Sequence, residues 1–206
     1  MITGLEGLNR LREGNARFVA NQMRTLDHAH ESRRAELVSG QAPFAIVLGC
    51  SDSRVPAELV FDQGFGDLFV IRVAGNIVAP SQVGSVEFAA ARFSTRLVVV
   101  LGHSGCGAIL ATLEELQGAK KSQSRNLSSI VDRVRPSVEA LLATELRNDQ
   151  PELVRQAVRA NIRASVDHLR HGSQLLEELI RDEGLVVVGA EYSLETGVVD
   201  FFDGAD

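Results

Sequence analysis

The chain has 206 residues, 45% of them hydrophobic and 23% charged, which suits one globular domain with a sizeable core. Its net charge of −6, with 21 scattered cations that are all arginine except Lys120 and Lys121, excludes the concentrated basic footprint of a nucleic-acid protein. Two cysteines are too few for a disulfide framework, and with neither a secretory leader nor a run of eighteen apolar residues the expectation is a cytoplasmic protein with free thiols.

Leu5, Leu8, Leu11, Phe18 and Val19 recur at near-helical spacing, so residues 4 to about 22 are predicted to form an amphipathic helix. A second, polar helix is expected over 27–38, with Asp27 as N-cap and Gly40 as the stop. Residues 1–40 therefore read as an N-terminal helical arm, and 42–206 as the α/β core of a single domain. The core begins with a continuous apolar run, Phe44-Ala45-Ile46-Val47-Leu48, that ends at Gly49. Such a run marks a strand buried on both faces. The pattern returns at 68–71, 97–101 and 185–188, and helices are predicted between these runs at 82–93, 106–116 and 128–146. A long helical stretch over 152–180 starts behind Pro151 and breaks at His171-Gly172. Residues 118–126 read as a solvated connector. Residues 197–202 are expected to form an antiparallel edge strand after a turn at 194–197. The alternation predicts an α/β fold: a central, mainly parallel sheet of about four parallel strands plus that edge strand, flanked by helices.

The residues able to do chemistry follow two of the buried strands. Cys50-Ser51-Asp52-Ser53-Arg54 comes after the first, and His103-Ser104-Gly105-Cys106-Gly107 after the third. In open α/β sheets ligands bind beyond the carboxyl ends of strands, where successive connections diverge. If the first and third strands are neighbours, about 4.8 Å apart, Cys50, His103 and Cys106 converge on one ion. Two thiolates and an imidazole suit Zn²⁺, and three protein ligands leave a fourth position for water or substrate. His103 and Cys106 are expected on one face at the start of a helix whose N-terminus favours the Cys106 thiolate. Asp52 and Arg54 can pair on a turn, the arginine restraining the carboxylate so that it accepts from metal-bound water. The same two residues could equally form a plain strand-end salt bridge.

Three other readings compete. Buried cysteines can simply fill space, although glycine-flanked positions beyond strand ends need little filling. A redox dithiol lacks Cys-x-x-Cys spacing and has no use for His103. The apolar run into Gly102-His103-Ser104 approaches a serine as a nucleophile elbow does, but Cys106 stands where glycine is required, and His168 and His171 fall inside a predicted helix. His28, His30, His168 and His171 are expected in solvent, and Ser51, Ser53 and Ser104 in local turn hydrogen bonds.

Cys50-Ser-Asp-Ser-Arg54 followed by His103-Ser-Gly-Cys106 resembles the signature pair of the β-class carbonic anhydrases. The likeness continues through Phe61-Asp62, Gly66-Asp67-Leu68-Phe69, Arg72-Val73-Ala74-Gly75-Asn76 and Gly84-Ser85-Val86-Glu87. It implies a zinc lyase that reversibly hydrates CO2 to bicarbonate and a proton through zinc-bound hydroxide, with one Zn²⁺ per subunit on Cys50, His103 and Cys106. Asp52 and Arg54 become the catalytic pair, Asp52 ligating zinc itself in a closed state. The resemblance also implies substrate contacts from Gln41, Phe69, Phe88 and Gly107, with Gln41 acting across a dimer interface and Phe88 standing where many relatives have tyrosine. An arm that wraps a partner implies a homodimer or homotetramer, with no nucleic-acid or membrane partner. Arg72 and Tyr192 match two residues of a regulatory bicarbonate site found in a subset of the family. Val47 replaces that site's tryptophan, so the open, water-bound zinc site is expected at neutral pH. A CS2 or COS hydrolase of the same superfamily, and a zinc-stabilised binding module without turnover, are the alternatives.

Overall fold

The computed structural model describes residues 2–24, 31–118 and 124–205. The expected cap Asp27, His28 and His30, and most of the connector at 118–126, lie outside the described residues. Strands β1 (Ala45–Gly49), β2 (Leu68–Arg72), β3 (Leu97–His103) and β4 (Val186–Tyr192) are parallel, and β5 (Val199–Asp203) runs antiparallel to β4 at the edge. The order is β2-β1-β3-β4-β5. β1 and β3 are the central pair because every residue in them is buried, as their β-branched and leucine content requires of strands covered on both faces. From β1 the chain moves outward to β2, then crosses back to β3 on the other side of β1. The connections therefore diverge between the carboxyl ends of β1 and β3, where Gly49 pairs with Leu101.

β3 and β4 outrun their apolar cores. Pairing continues through Gly102↔Glu191 to His103↔Tyr192, so His103 ends a strand. Its spacing to Cys106 predicts the first turn of a helix; the ladder pairing with β4 holds it in the sheet instead.

Alternate strand residues feed two apolar layers. Ile46, Leu48, Val98, Val100 and Val187 meet helices α4 (Pro80–Arg92), α5 (Gly107–Leu116), α6 (Arg125–Val138), α7 (Gln150–His171) and α8 (Gln174–Glu183). Ala45, Val47, Leu97, Val99 and Val188 meet α1 (Gly4–Val19) and α3 (Ala57–Val60), while α2 (Glu31–Leu37) lies between those two in sequence. The predicted break at Gly172 separates α7 from α8. The helix expected over 128–146 stops at Val138 and gives way to two 3-10 turns, Glu139–Ala143 and Glu145–Asn148. Thr144 is the reason for the restart, being extended (φ −102°, ψ 173°) with its hydroxyl capping the Leu146 N–H.

A Thr3/Glu6 capping box opens α1. The helix then docks on its own sheet through Gly4, Gly7, Leu8, Leu11, Gly14 and Asn15, all buried. Asn15 donates to the carbonyls of Val60 (3.1 Å) and Gly197 (2.8 Å) and accepts from the Val199 N–H (2.9 Å). The first half of the expected arm is thus docked on its own sheet, with Leu5 and Val19 left exposed on its outer face. A Cβ on Gly14 would collide with the Phe61 carbonyl oxygen. Alanine favours a helix interior by about 1 kcal/mol over glycine, but overpacking against backbone costs about 3 kcal/mol, so Gly14→Ala is expected to lower the urea midpoint. A raised midpoint would mean that α1 is not held at this depth.

Candidate metal centre

Three short segments meet at the divergence point. The turn after β1 carries Cys50, the last residue of β3 is His103, and Cys106 (φ −65°, ψ 119°) is the N-cap residue of α5. All three are buried, and one ligand atom from each lies within 4.8 Å of the others, the two sulfurs being 4.0 Å apart. The convergence predicted for Cys50, His103 and Cys106 is therefore present. It arises from a strand end and the following turn, however, and not from one face of a helix.

His103 Nδ1 lies 3.0 Å from the Ser104 carbonyl oxygen, a contact that assigns the proton to Nδ1 and leaves the Nε2 lone pair free. Nε2 is buried without a hydrogen-bond partner, one of two such side-chain atoms among the described residues, with Asn76 Nδ2. Leaving a buried polar atom unsatisfied costs about 1–3 kcal/mol. A cation shared with two sulfurs removes that penalty, and soft sulfur with imidazole nitrogen is a zinc donor set. The residues present fit the ion.

The thiols themselves are not equivalent. The contact with Cys106, opposed by burial and aided by the N–H groups of Asp52 and Gly75, pulls the Cys50 thiol down. The same contact, together with burial, pushes Cys106 up, and the N–H groups of Ile109 and Ala108 at the start of α5 only partly oppose it. The N–H groups at the helix N-terminus thus act on Cys106 in the expected direction. A dication entering the site must therefore displace the Cys106 proton.

Asp52 and Arg54 form the pair read from their spacing. Arg54 donates from Nε to Oδ1 (2.9 Å), from Nη2 to Oδ2 (2.7 Å) and from its backbone N–H to Oδ1 (3.0 Å). This grip holds the Asp52 carboxyl well below the usual carboxylate range, against the opposing effect of burial. Its Oδ2 stands 3.8 Å from His103 Nε2, so a charged acceptor borders the ligand cluster. Arg72 clamps the loop between them, donating to the carbonyls of Cys50 (3.0 Å) and Asp52 (2.6 Å). This clamp is a role distinct from the regulatory site that Arg72 matches in sequence.

Gly107 opens α5 beside Cys106. Within one chain the other proposed substrate residues stay away from the cluster. Gln41 is exposed ahead of the amino end of β1, opposite the end that carries Cys50. Phe69 pairs with Ile46, three residues before Gly49, or about 10 Å back along the strand. It joins Phe88, 54% exposed on α4, and Phe93 in an aromatic cluster with centroids 5.7–6.2 Å apart. Ser104 Oγ accepts the Leu194 N–H at 2.9 Å, a bond across 90 residues in place of the local turn bond expected, and His168 and His171 lie on α7.

Three further hydrogen bonds are not legible in the sequence. The Gly75 N–H donates to Cys50 Sγ at 3.3 Å, and α7 holds the Gly75-Asn76 turn through Asn161 and Ser165. The available signal was a pair of polar residues four apart inside the apolar stripe of α7, bounded by Ala157, Val158, Ile162 and Val166.

A family model described as carbonic anhydrase matches residues 45–199. The Mycobacterium tuberculosis protein named carbonic anhydrase 2 is 38% identical over 191 residues, covering 91% of this chain and 87% of its own length. A carbonic anhydrase of Mycolicibacterium smegmatis is 39% identical over 190 residues, 92% of this chain and 89% of that one. Among solved structures, a tetrameric β-carbonic anhydrase of Sordaria macrospora aligns with a TM-score of 0.73 at 28% identity, over 82% of this chain and 85% of that one. No described helix is long and apolar enough to cross a membrane.

Proposed function

The chain belongs to the β-class carbonic anhydrase family, and from that premise we infer that it reversibly hydrates CO2 to bicarbonate and a proton, using one Zn²⁺ on Cys50, His103 and Cys106. The observation that carries the reading is the buried, unpartnered Nε2 of His103, grouped with two sulfurs beside a carboxylate already paired to arginine. Bound there, the ion supplies a water acidified enough to attack at neutral pH.

The chain's own residues do the rest. Asp52 accepts a hydrogen bond from the attacking water and orients it. Arg54 occupies both carboxylate oxygens and so keeps Asp52 from turning onto the ion, which favours the open site. Two sulfur ligands offset much of the dication's charge, and this makes a well-placed acceptor more important than at an all-imidazole site. CO2 is neutral and apolar, so its pocket needs apolar walls with few donors. Gly107 adds no side chain beside Cys106. Gln41, Phe69 and Phe88 point to a wall supplied by a neighbouring subunit, since each lies away from its own chain's cluster. A homodimer is the smallest assembly that completes such a site, and the Sordaria relative is described as tetrameric. We place the protein in the reducing cytoplasm, where both sulfurs remain available to the metal.

Zinc analysis alongside stopped-flow CO2 hydration tests the reading. One zinc per chain with hydration well above buffer is expected. Stoichiometric zinc without hydration would overturn the enzyme, and full activity in metal-free protein would overturn the zinc.

A further inference from the structure

We propose that Asn161 of α7 is a positioning residue for the metal centre, acting through the Gly75-Asn76 turn on the Cys50 sulfur. This rests on the reading of Cys50 as a zinc ligand.

The turn is unusual in its backbone. Gly75 (φ 71°) and Asn76 (φ 42°) are both left-handed, one after the other. Left-handed conformations are unfavourable for residues with a side chain, so Asn76 needs outside contacts to stay there. Its result is to aim the Gly75 N–H at Cys50 Sγ, 3.3 Å away. Gly75 is also pressed against α5, and a Cβ there would come within 3.0 Å of the Ala108 side chain. The turn is thus wedged between the N-terminal end of α5, which carries Cys106, and α7.

From the α7 side two buried groups grip it. Asn161 Nδ2 donates to the Gly75 carbonyl at 2.8 Å, and one helical turn later Ser165 Oγ donates to the Asn76 carbonyl at 3.1 Å. Glycine rotates freely about both backbone bonds. A carbonyl pinned at Gly75 is what removes that freedom next to the N–H that touches sulfur. An N–H donated to a thiolate draws charge from the sulfur, weakening its donation to a bound ion while fixing where the sulfur sits. Groups that orient metal ligands in this way change affinity by about 10- to 100-fold when removed. Asn161 touches none of the three ligands, so any effect it has must travel through the turn.

The test compares native protein, Asn161→Ala and Ser165→Ala, each loaded with zinc and, separately, with Co²⁺. Zinc transfer to a chromophoric chelator gives relative affinity, and the cobalt form gives the thiolate-to-metal charge-transfer band as a direct report on the sulfurs. Asn161→Ala is expected to weaken zinc retention about 10- to 100-fold and to move the charge-transfer band, with Ser165→Ala shifting both the same way by less. A folded Asn161→Ala protein with native retention and a native cobalt band would overturn the proposal. If Asn161→Ala does not fold, Ser165→Ala decides, and a native band there overturns it equally. Native protein that binds neither metal would instead defeat the zinc-site reading itself.

Discussion

His103→Ala is expected to leave a folded protein that holds no stoichiometric zinc and hydrates CO2 at the buffer rate. The remaining ligands are two sulfurs, one of which, Cys106, is pushed up by its hydrogen bond to Cys50 and by burial and gives up its proton only to a strongly bound cation. Losing a direct ligand therefore exceeds the roughly 100-fold that removing an outer contact produces. The fold is a separate matter. Truncating a fully buried imidazole leaves a cavity, a loss of about 2–5 kcal/mol on the scale of core truncations to alanine. The same change deletes an unsatisfied buried nitrogen, a gain of about 1–3 kcal/mol. The Nδ1 bond to the Ser104 carbonyl is lost as well, so in the presence of chelator the variant should unfold at a modestly lower urea concentration than the native protein. Metal content near one zinc per chain in the variant, with native turnover, would remove His103 from the site.

Asp52→Asn keeps the shape of the side chain and the zinc, and is expected to lower kcat/KM about 100-fold, the modest end of what a positioned base contributes. That loss corresponds to about 2.7 kcal/mol of barrier. The amide presents a donor or a weak neutral acceptor where a full carboxylate stood, and Arg54, already more than half exposed, simply turns to water. The pH profile separates this role from others. Because Arg54 holds the Asp52 carboxyl well below its ordinary value, the group remains ionised as pH falls through 4, and the acid limb of the native profile does not belong to it. Asp52→Asn should therefore lower the whole profile without moving that limb. An acid limb that disappears in the variant would assign the limb to Asp52 and contradict the strong Arg54 grip.

The centre was legible where chemistry and topology coincide. Cys50 and His103 sit just past or at the ends of all-apolar strands, and such strands announce themselves as short runs of valine, isoleucine and leucine. The parallel sheet followed from helices alternating with those runs, and the antiparallel edge from the turn at 194–197. What stayed hidden depends on partners distant in sequence. His103 looks helical by its spacing to Cys106, and only pairing with Tyr192 reveals it as strand. Gly4, Gly7 and Gly14 lower the helix propensity of α1, and nothing local says that they let the helix press on Arg96, Leu97 and Phe61. Asn161 reads as a polar interruption until the Gly75 carbonyl is in view, 86 residues earlier.

The three hydrogen bonds of Asn15 also bear on how the molecule is made. Its partners Gly197 and Val199 lie near the other end of the chain, the latter 184 residues away. Synthesis at about 5–20 residues per second separates the two by roughly 10–40 s. Throughout that interval Leu8 and Leu11 lack their complete cover, because β4 and β5 do not yet exist. α1 leaves the ribosome well before the strands that complete its cover, so its docking closes as a late, long-range event, and the nascent chain carries an amphipathic helix whose apolar face must be kept from other chains until then.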